Sequence, residues 1–387
     1  MPSHRFTLAS SAEQITGLLD NGSAISLSTT SSLHLAEGTV CSRPVLAIAT
    51  DPSQDKGVLG VAECADLRQV VRLAKKMRRP LVLVIDSAGA RLDQGLKIQG
   101  ALRGLMTDIL DAGFAGLPMI ALLGRNVFGG ASMLAFAASE RCYASDTVLA
   151  MSGPRGLASS NGWAIDAVRA EINGPARCSH GGSEQLLDDS LSAYATALRG
   201  WVSRLPDGLL PDNLDDERRV LGARLKGNAP ASTVRFAVDP KNQSLTCSGR
   251  AYIGAAGALE FAVLVDKMDS CSELRIDCAG HSLQMGDESL ILTQYLVHLA
   301  RTLRRSVHRR QPLKLSVVGE ISGGIYIATA GSASSVEISR GGSVRTLPQR
   351  TLSAILTSPD AAISNAGANF IHYLEWGIAD IVSAPAL

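Results

Sequence analysis

A long internal repeat constrains this chain more than any other feature of its sequence. Residues 57–130 and 252–324 follow one pattern, in which a glycine turn leads into an apolar helical segment that ends in Lys-Met. Nine residues after each methionine, an aspartate closes a short apolar strand within the shared motif Ile-Asp-x-Ala-Gly, at 85–89 and 276–280. Self-similarity of this kind indicates a duplicated structural unit.

Each copy continues with the same succession of predicted elements. A long helix is expected over about 94–112 and 288–307, and a strand that a proline introduces follows at 117–123 and 311–318. Each strand runs into a glycine loop, and small residues after the last glycine pair suit a buried helix. Strands that alternate with helices are typical of the α/β class with a parallel sheet.

Interruptions of the apolar pattern predict the domain boundaries. Pro206, a charged run around 215–219 and Pro230 fall between the copies, as expected of a linker. We therefore predict a first domain over 41–205, a linker over 206–240 and a second domain over 241–387. The Ser/Thr-rich residues 1–40 are predicted to form an N-terminal arm or short strands.

Composition excludes several classes of protein. The chain has 387 residues with a formal charge of +1, 46% hydrophobic and 4% aromatic residues, which disfavours nucleic-acid partners and aromatic base-stacking platforms. Seven cysteines without a CxxC pair predict neither a metal site nor a disulfide framework. Without an apolar run of 18 residues, a cytoplasmic enzyme with no membrane partner is expected.

The glycine loops are the candidate functional feature. Backbone N–H groups at strand ends and helix starts can bind an oxyanion, and glycine allows a ligand to approach the backbone. The candidate donors are Ala88, Gly89, Gly129 and Gly130 in the first copy and Gly280, Gly323 and Gly324 in the second. None of these glycine loops matches a nucleotide-binding motif. The alternative is that these glycines only satisfy turns and packing.

The same residues resemble a known family. Asp86-Ser-Ala-Gly-Ala-Arg91 and Phe128-Gly-Gly-Ala-Ser132 are similar to the carboxyltransferase domains of the crotonase superfamily. The first copy, with Ile172–His180 and Leu186–Asp189, resembles the β subunit of biotin-independent malonate decarboxylase. The second, with Ser322-Gly-Gly and Trp376–Val382, resembles its γ subunit and the α subunit of bacterial acetyl-CoA carboxylase.

The resemblance implies a fold and an activity. The fold would be two tandem crotonase-like domains, each a ββα spiral, related by a pseudo-twofold axis in one fused chain. The activity would be decarboxylation of a malonyl thioester to the acetyl thioester through an enolate. The first-copy loops would hold the enolate, while the second-copy loops would hold the departing carboxylate or complete the pocket.

The resemblance also implies partners. No covalently bound cofactor is expected, because the acyl group would arrive on CoA or on the phosphopantetheine-type arm of an acyl carrier protein. An acyl-carrier transferase subunit and a homodimer or larger complex are further expectations. The alternatives are a carboxyltransferase that moves the carboxyl to a biotin carrier protein, although the chain has no biotinyl Met-Lys-Met motif, and a non-catalytic scaffold subunit.

The sequence departs from the family pattern in the second copy. Ala279 stands where the family has proline, and His281 follows the loop glycine. These changes indicate either an altered substrate or a second site that has become scaffold.

Several side chains are candidates for direct roles. Arg91 and Arg125 would hold a carboxylate or a carrier phosphate, unless they form surface ion pairs. His281 would protonate the carbanion, unless it is structural. Ser322 would tune the second pocket, and Arg304 and Arg305 would dock an acidic carrier or CoA phosphates, unless they lie on a solvated helix face. Cys278 is interpreted as a buried, inert thiol.

Overall fold

The computed structural model describes residues 5–180, 183–206, 210–226, 232–249, 251–268, 270–347 and 370–383. Besides short 3₁₀ turns, the elements between residues 5 and 206 are α1 (Ser11–Leu18), β1 (Ile25–Leu27), β2 (His34–Val40), β3 (Arg43–Ala49), α2 (Val61–Met77), β4 (Leu81–Ser87), α3 (Lys97–Phe114), β5 (Met119–Phe128), α4 (Gly130–Ala137), β6 (Glu140–Tyr143), β7 (Val148–Ala150), α5 (Pro154–Asn161), α6 (Ile165–Glu171), α7 (Gly174–Cys178), β8 (Glu184–Leu186) and α8 (Leu191–Arg204).

The described elements of the remaining chain are α9 (Leu214–Leu225), β9 (Arg235–Asp239), β10 (Ser244–Ser248), β11 (Tyr252–Ile253), α10 (Ala255–Lys267), β12 (Glu273–Cys278), β13 (Gly280–His281), α11 (Met285–Ser289), α12 (Leu292–Arg309), β14 (Lys314–Ser322), α13 (Gly323–Ala330), β15 (Ser335–Ile338), β16 (Ser343–Arg345), α14 (Phe370–Glu375) and β17 (Ile381–Val382).

The chain divides into two compact units. The first comprises Met1–Ala90, Asp111–Gly153 and Arg169–Asp212, and the second comprises Arg91–Leu110, Pro154–Val168 and Asn213–Leu387. Two stretches inside the first predicted domain, 91–110 and 154–168, therefore belong to the second compact unit, and the domain bounds stay predictions. The reason is visible in the second unit, where the Gln99 side chain donates to the Thr346 carbonyl and Arg103 pairs with Asp380.

The two sheets share one topology. In the first unit, strands β3, β4, β5, β6 and β8 pair in that order, all parallel, and β7 also pairs with β5. In the second unit, β10, β12, β14, β15 and β17 pair in the same way, and β16 pairs with β14. Equivalent helices connect them, so the α/β class and the duplication predicted from the repeat are confirmed. The pseudo-twofold relation stays a prediction.

Local sequence explains the helix and strand that lead to the first loop. Helix α2 begins after Gly60, whose N–H is bound by the Glu63 carboxylate, and it ends at Arg78 in the left-handed conformation (φ 52°). Pro80 then prevents helical continuation. Every residue of β4 is buried, which is typical of a central parallel strand covered on both faces.

The N-terminal residues are more than an arm. Helix α1 buries Ile15 and Leu18 against the first sheet, and the Phe6 ring stacks on Tyr194 of α8 with 3.7 Å between ring centroids. Strands β1 and β2 extend the sheet by antiparallel pairing. The described residues of the stretch predicted as an arm or short strands thus form a helix and two strands, and several of their side chains belong to the core.

The described part of the predicted linker at 206–240 contains a helix and a strand. Helix α9 buries Leu214 and Leu221, and its Glu217 carboxylate binds both His298 and Arg301 of α12 at 2.9 Å. Strand β9 pairs antiparallel with β10. The charged run at 215–219 had suggested a linker. Side chains of this run instead form ion pairs between α9 and α12.

Candidate functional site

The two glycine loops of the first copy begin at the carboxyl ends of neighbouring strands β4 and β5. The Asp86 carboxylate accepts the backbone N–H groups of Arg125 and Asn126 at 2.9 and 3.1 Å, where the strand register shifts. A Cβ on Gly124 would lie 2.5 Å from this carboxylate. Burial raises the pKa of Asp86, while the two N–H groups oppose that shift. Asp86 therefore stabilises the ends of the two strands. The candidate oxyanion donors are the backbone N–H groups that follow these strands.

The loops then approach each other through glycines in unusual conformations. Gly89 has φ 111° and Gly129 has φ 58°, values that favour glycine. A Cβ on Gly89 would lie 3.5 Å from the Phe128 carbonyl oxygen, and one on Gly129 would lie 3.9 Å from the Gly89 Cα. The sequence-predicted meeting of the two loops is thus observed within the first unit.

The structure distinguishes among the four candidate donors. The Ala88 N–H donates to the Lys56 carbonyl at 3.0 Å, and the Gly129 N–H is shared between two carbonyls of residues 150 and 151. The Gly89 N–H binds the hydroxyl of Ser87 in its own loop at 3.2 Å. These bonds correct the assignment of Ala88 and Gly129 as open donors, because their N–H groups are already used by the backbone.

Gly130 differs from the other three. It is the first residue of α4, and an N–H at this position has no partner inside the helix. Within the described part of the chain, the Gly130 N–H has no hydrogen-bond acceptor. The dipole of α4 also favours negative charge at this end. Gly130 is thus the donor best placed to receive an oxyanion in the first unit.

The second copy repeats the scaffold in detail. The Asp277 carboxylate accepts the Glu320 N–H and packs against Gly319, and the register again shifts at the strand end. The Ala279 N–H donates to the Ala251 carbonyl at 3.0 Å, as Ala88 does to Lys56. The alanine N–H of this loop is therefore bound by a backbone carbonyl in both copies.

In the second copy, one N–H of the glycine pair is already bound by a side chain. The Nδ1 atom of His281 accepts the Gly324 N–H at 3.1 Å, and a Cβ on Gly323 would lie 2.7 Å from the imidazole ring. His281 is 1% exposed, and burial lowers its pKa to about 4. The structure therefore corrects the assignment of His281 as a proton donor and of Gly324 as an open donor.

Ser322 also proves to be structural. Its side chain is fully buried, and its hydroxyl donates to the Ala279 carbonyl at 2.6 Å. This bond ties the two loops of the second copy together. Cys278 is buried as predicted, and its thiol donates to the Ala251 carbonyl at 3.1 Å.

The arginines predicted to bind substrate divide into different groups. Arg125 is exposed beside the first loop pair, and its side chain makes no ion pair with a described residue. Arg91 begins the stretch that belongs to the second unit. Arg305 is 5% exposed and bound to two carboxylates, and Arg304 reaches the Ser332 carbonyl. Arg305 therefore has two carboxylate partners inside its own unit, which argues against its predicted carrier-docking role.

Sequence reasoning missed how these loops satisfy their own donors. The relevant signal was present in the repeat alignment, where His281 stands at the position of Ala90. A methyl group cannot accept a hydrogen bond, whereas a neutral imidazole has one acceptor nitrogen. The replacement of Ala90 by His281 between the copies therefore adds a hydrogen-bond acceptor to the loop. The contact with Gly324 shows which N–H group this acceptor binds.

The described residues contain no group of three His, Cys, Asp or Glu side chains that could hold a metal ion. No described helix combines the length and the hydropathy needed to cross a bilayer.

Comparison with known proteins gives a fold and no closer assignment. No protein-family model matches the sequence. No protein of curated function matches it either.

Solved structures do match. A Pseudomonas malonate decarboxylase hetero-tetramer in complex with malonate is 19% identical over 59% of this chain and 95% of that chain, with a TM-score of 0.52. A hetero-dimer of the Pseudomonas enzyme is 22% identical over 56% and 96%, with a TM-score of 0.49. The β subunit of P. aeruginosa geranyl-CoA carboxylase is 13% identical over 97% and 84%, with a TM-score of 0.46. The first match shows that 59% of this chain shares the fold of that malonate decarboxylase chain.

Proposed function

We propose that this chain is an enzyme that decarboxylates a malonyl thioester to the acetyl thioester without biotin. The observation that carries the proposal is the Gly130 N–H, which has no acceptor among the described residues and lies at the start of α4. Gly130 directly follows Gly129, on which a Cβ would lie 3.9 Å from the Gly89 Cα. An open backbone donor at a helix start, next to a second glycine loop, suits a carbonyl oxygen that gains negative charge. The shared fold supports the same reaction class.

The chemistry follows from that donor. Breaking the bond between C2 and the carboxyl carbon releases CO2 and leaves its electron pair on the thioester as an enolate. The enolate oxygen would bind the Gly130 N–H, with the Gly89 N–H as the second donor once it exchanges the Ser87 hydroxyl for the substrate. Each donor would contribute about 3–4 kcal/mol to transition-state stabilisation. A proton from water then completes the methyl group.

Exposed positive charge lies on the same loop. The Arg125 guanidinium, which has no ion-pair partner among described residues, would hold the substrate carboxylate or a phosphate of its carrier. We propose CoA or the phosphopantetheine-type arm of an acyl carrier protein as that carrier. We also propose that the chain works in a homodimer or larger complex, with an acyl-carrier transferase as one partner.

The state of the second loop pair favours decarboxylation over carboxyl transfer. Transfer needs a second substrate whose carbonyl must also be activated, and the second-copy glycine pair would be the site for it. There, His281 already accepts the Gly324 N–H. One thioester and a water molecule need only the first loop pair. A scaffold role is the remaining alternative, and only activity separates it.

Two substitutions at Gly130 test the proposal. Gly130→Pro removes the N–H at the helix position where proline is best tolerated, and Gly130→Ala keeps it. We expect Gly130→Pro to lower kcat about 10²–10³-fold with malonyl-CoA or malonyl-carrier, and Gly130→Ala to lower it much less. Equal losses in two folded variants would remove this N–H from the mechanism.

The reaction itself is tested with the unmodified chain. In D2O, the acetyl product should carry one solvent deuterium, and avidin should have no effect. Inhibition by avidin would favour carboxyl transfer to a biotin carrier, and no turnover of either thioester would favour the scaffold.

A further inference from the structure

In the second copy, a side chain of the protein itself binds the glycine N–H that is open in the first copy. In the first copy, Ala90 follows the loop glycine and the Gly130 N–H has no acceptor among the described residues; in the second, His281 follows it and the Gly324 N–H is bound at 3.1 Å. The glycines that precede both donors share one conformation, with φ 58° at Gly129 and 60° at Gly323. The glycine before each donor therefore has the same φ in both copies, while the residue after the loop glycine differs between them.

The imidazole Nδ1 atom accepts the Gly324 N–H, which is the role that a substrate carbonyl oxygen would have in an open pocket. Its Nδ1 lone pair points at the Gly324 N–H, and its ring lies against the face of Gly323 that a side chain would otherwise cover. The ring is 1% exposed. A buried N–H that lost this acceptor would cost about 1–3 kcal/mol, so the loop gains from having a permanent partner.

The protonation state fits this role. Nδ1 can accept the Gly324 N–H only in the neutral form that carries its proton on Nε2. Burial lowers the pKa of His281 to about 4, which keeps the ring neutral near pH 7. A charged imidazolium would instead present two donors and would repel the Gly324 N–H.

We propose that His281 is the resident ligand of the second oxyanion pocket, and that this pocket accepts a free neutral imidazole when the side chain is removed. A consequence, which rests on the proposed function, is that each chain binds one acyl thioester, through the first pocket. His281 is thus the residue that confines thioester binding to one of two duplicated sites.

Imidazole binding tests the pocket without reference to activity. His281→Ala should gain thermal stability as imidazole is added at constant pH, with a saturable rise in Tm that the wild type lacks. Ser322→Ala is the matched control, because it removes a neighbouring buried hydrogen bond and leaves the His281 ring in place. A Tm response of His281→Ala no larger than that of the Ser322→Ala control would overturn the proposal.

A second measurement uses the wild-type chain, so the proposal does not depend on a variant that folds. Long-range ¹H–¹⁵N NMR on protein labelled at histidine nitrogen reports the tautomer of each ring, and His281→Asn identifies the signal. We expect a neutral ring protonated on Nε2 at pH 7. A ring protonated on Nδ1, or a charged ring, would contradict the assigned hydrogen bond.

Equilibrium dialysis of the wild-type protein with acetyl-CoA tests the consequence. One molecule bound per chain is expected, and two would overturn the confinement. Absence of binding, together with the expected imidazole response, would refute CoA as the carrier while leaving the assignment of His281 as the resident ligand supported.

Discussion

The free energy of unfolding should depend on pH through His281 in a way that can be calculated. Its pKa in the folded state is lowered by burial to about 4, against 6.5 for an ordinary histidine. Between these values, the unfolded chain binds a proton that the folded chain does not. The stability that the neutral ring provides is therefore complete at higher pH and is lost as the pH falls from about 6.5 toward 4.

The size of this loss follows from the two pKa values. Between pH 7.5 and pH 5, the linkage relation gives a decrease of about 2 kcal/mol in the free energy of unfolding from this residue alone. Other groups titrate over the same range, so the quantity to measure is the difference between two proteins. His281→Asn is the suitable partner, because its amide oxygen can still accept the Gly324 N–H and it does not titrate.

The assay is urea unfolding of both proteins at each pH. The wild type should lose about 2 kcal/mol more than His281→Asn between pH 7.5 and pH 5. His308→Asn, at an exposed position on α12, controls for the loss of a histidine as such. If wild type and His281→Asn show the same pH dependence, then the ring is solvated or otherwise charged, and the reasoning from burial is refuted.

Three further predictions, one of them with a control substitution, test other parts of the structure by urea unfolding. Arg78→Gly should stabilise the protein by up to about 1 kcal/mol, because Arg78 ends α2 at φ 52°, where glycine is favoured; a loss of stability would show that its side chain has a role of its own. Gly124→Ala should destabilise by several kcal/mol, since its methyl group would meet the Asp86 carboxylate, whereas Gly113→Ala, with 3.9 Å of clearance inside α3, should be neutral or stabilising. Arg305→Ala should lower stability by more than about 2 kcal/mol without a salt-dependent rise in KM; such a rise in KM would restore its predicted docking role.

The sequence determined the repeated order of helices and strands. The Ile-Asp-x-Ala-Gly motif, the proline-led strands and the glycine pairs repeat along the chain, and each acts over a few residues. Apolar runs at 81–85 and 119–123 therefore predicted buried parallel strands, and Gly130 and Gly323 marked the starts of helices α4 and α13. These features depend on local preferences for backbone conformation and burial, which a single sequence records.

Tertiary structure decided which hydrogen-bonding and charged groups have partners, and which residues those partners are. The arginines of α12 looked available in the sequence, but Arg305 meets carboxylates 39 and 90 residues away. Residues 91–110 continue the first copy in sequence, yet Gln99 and Arg103 bond to residues near the C-terminal end of the chain. In the sequence, Gly130 and Gly324 look alike, because each is the second residue of a Gly-Gly pair. In the structure, the Gly130 N–H has no acceptor among the described residues, whereas the Gly324 N–H is bound. Their difference arises because a hydrogen bond depends on where a distant acceptor lies, and His281 lies 43 residues before the N–H it binds.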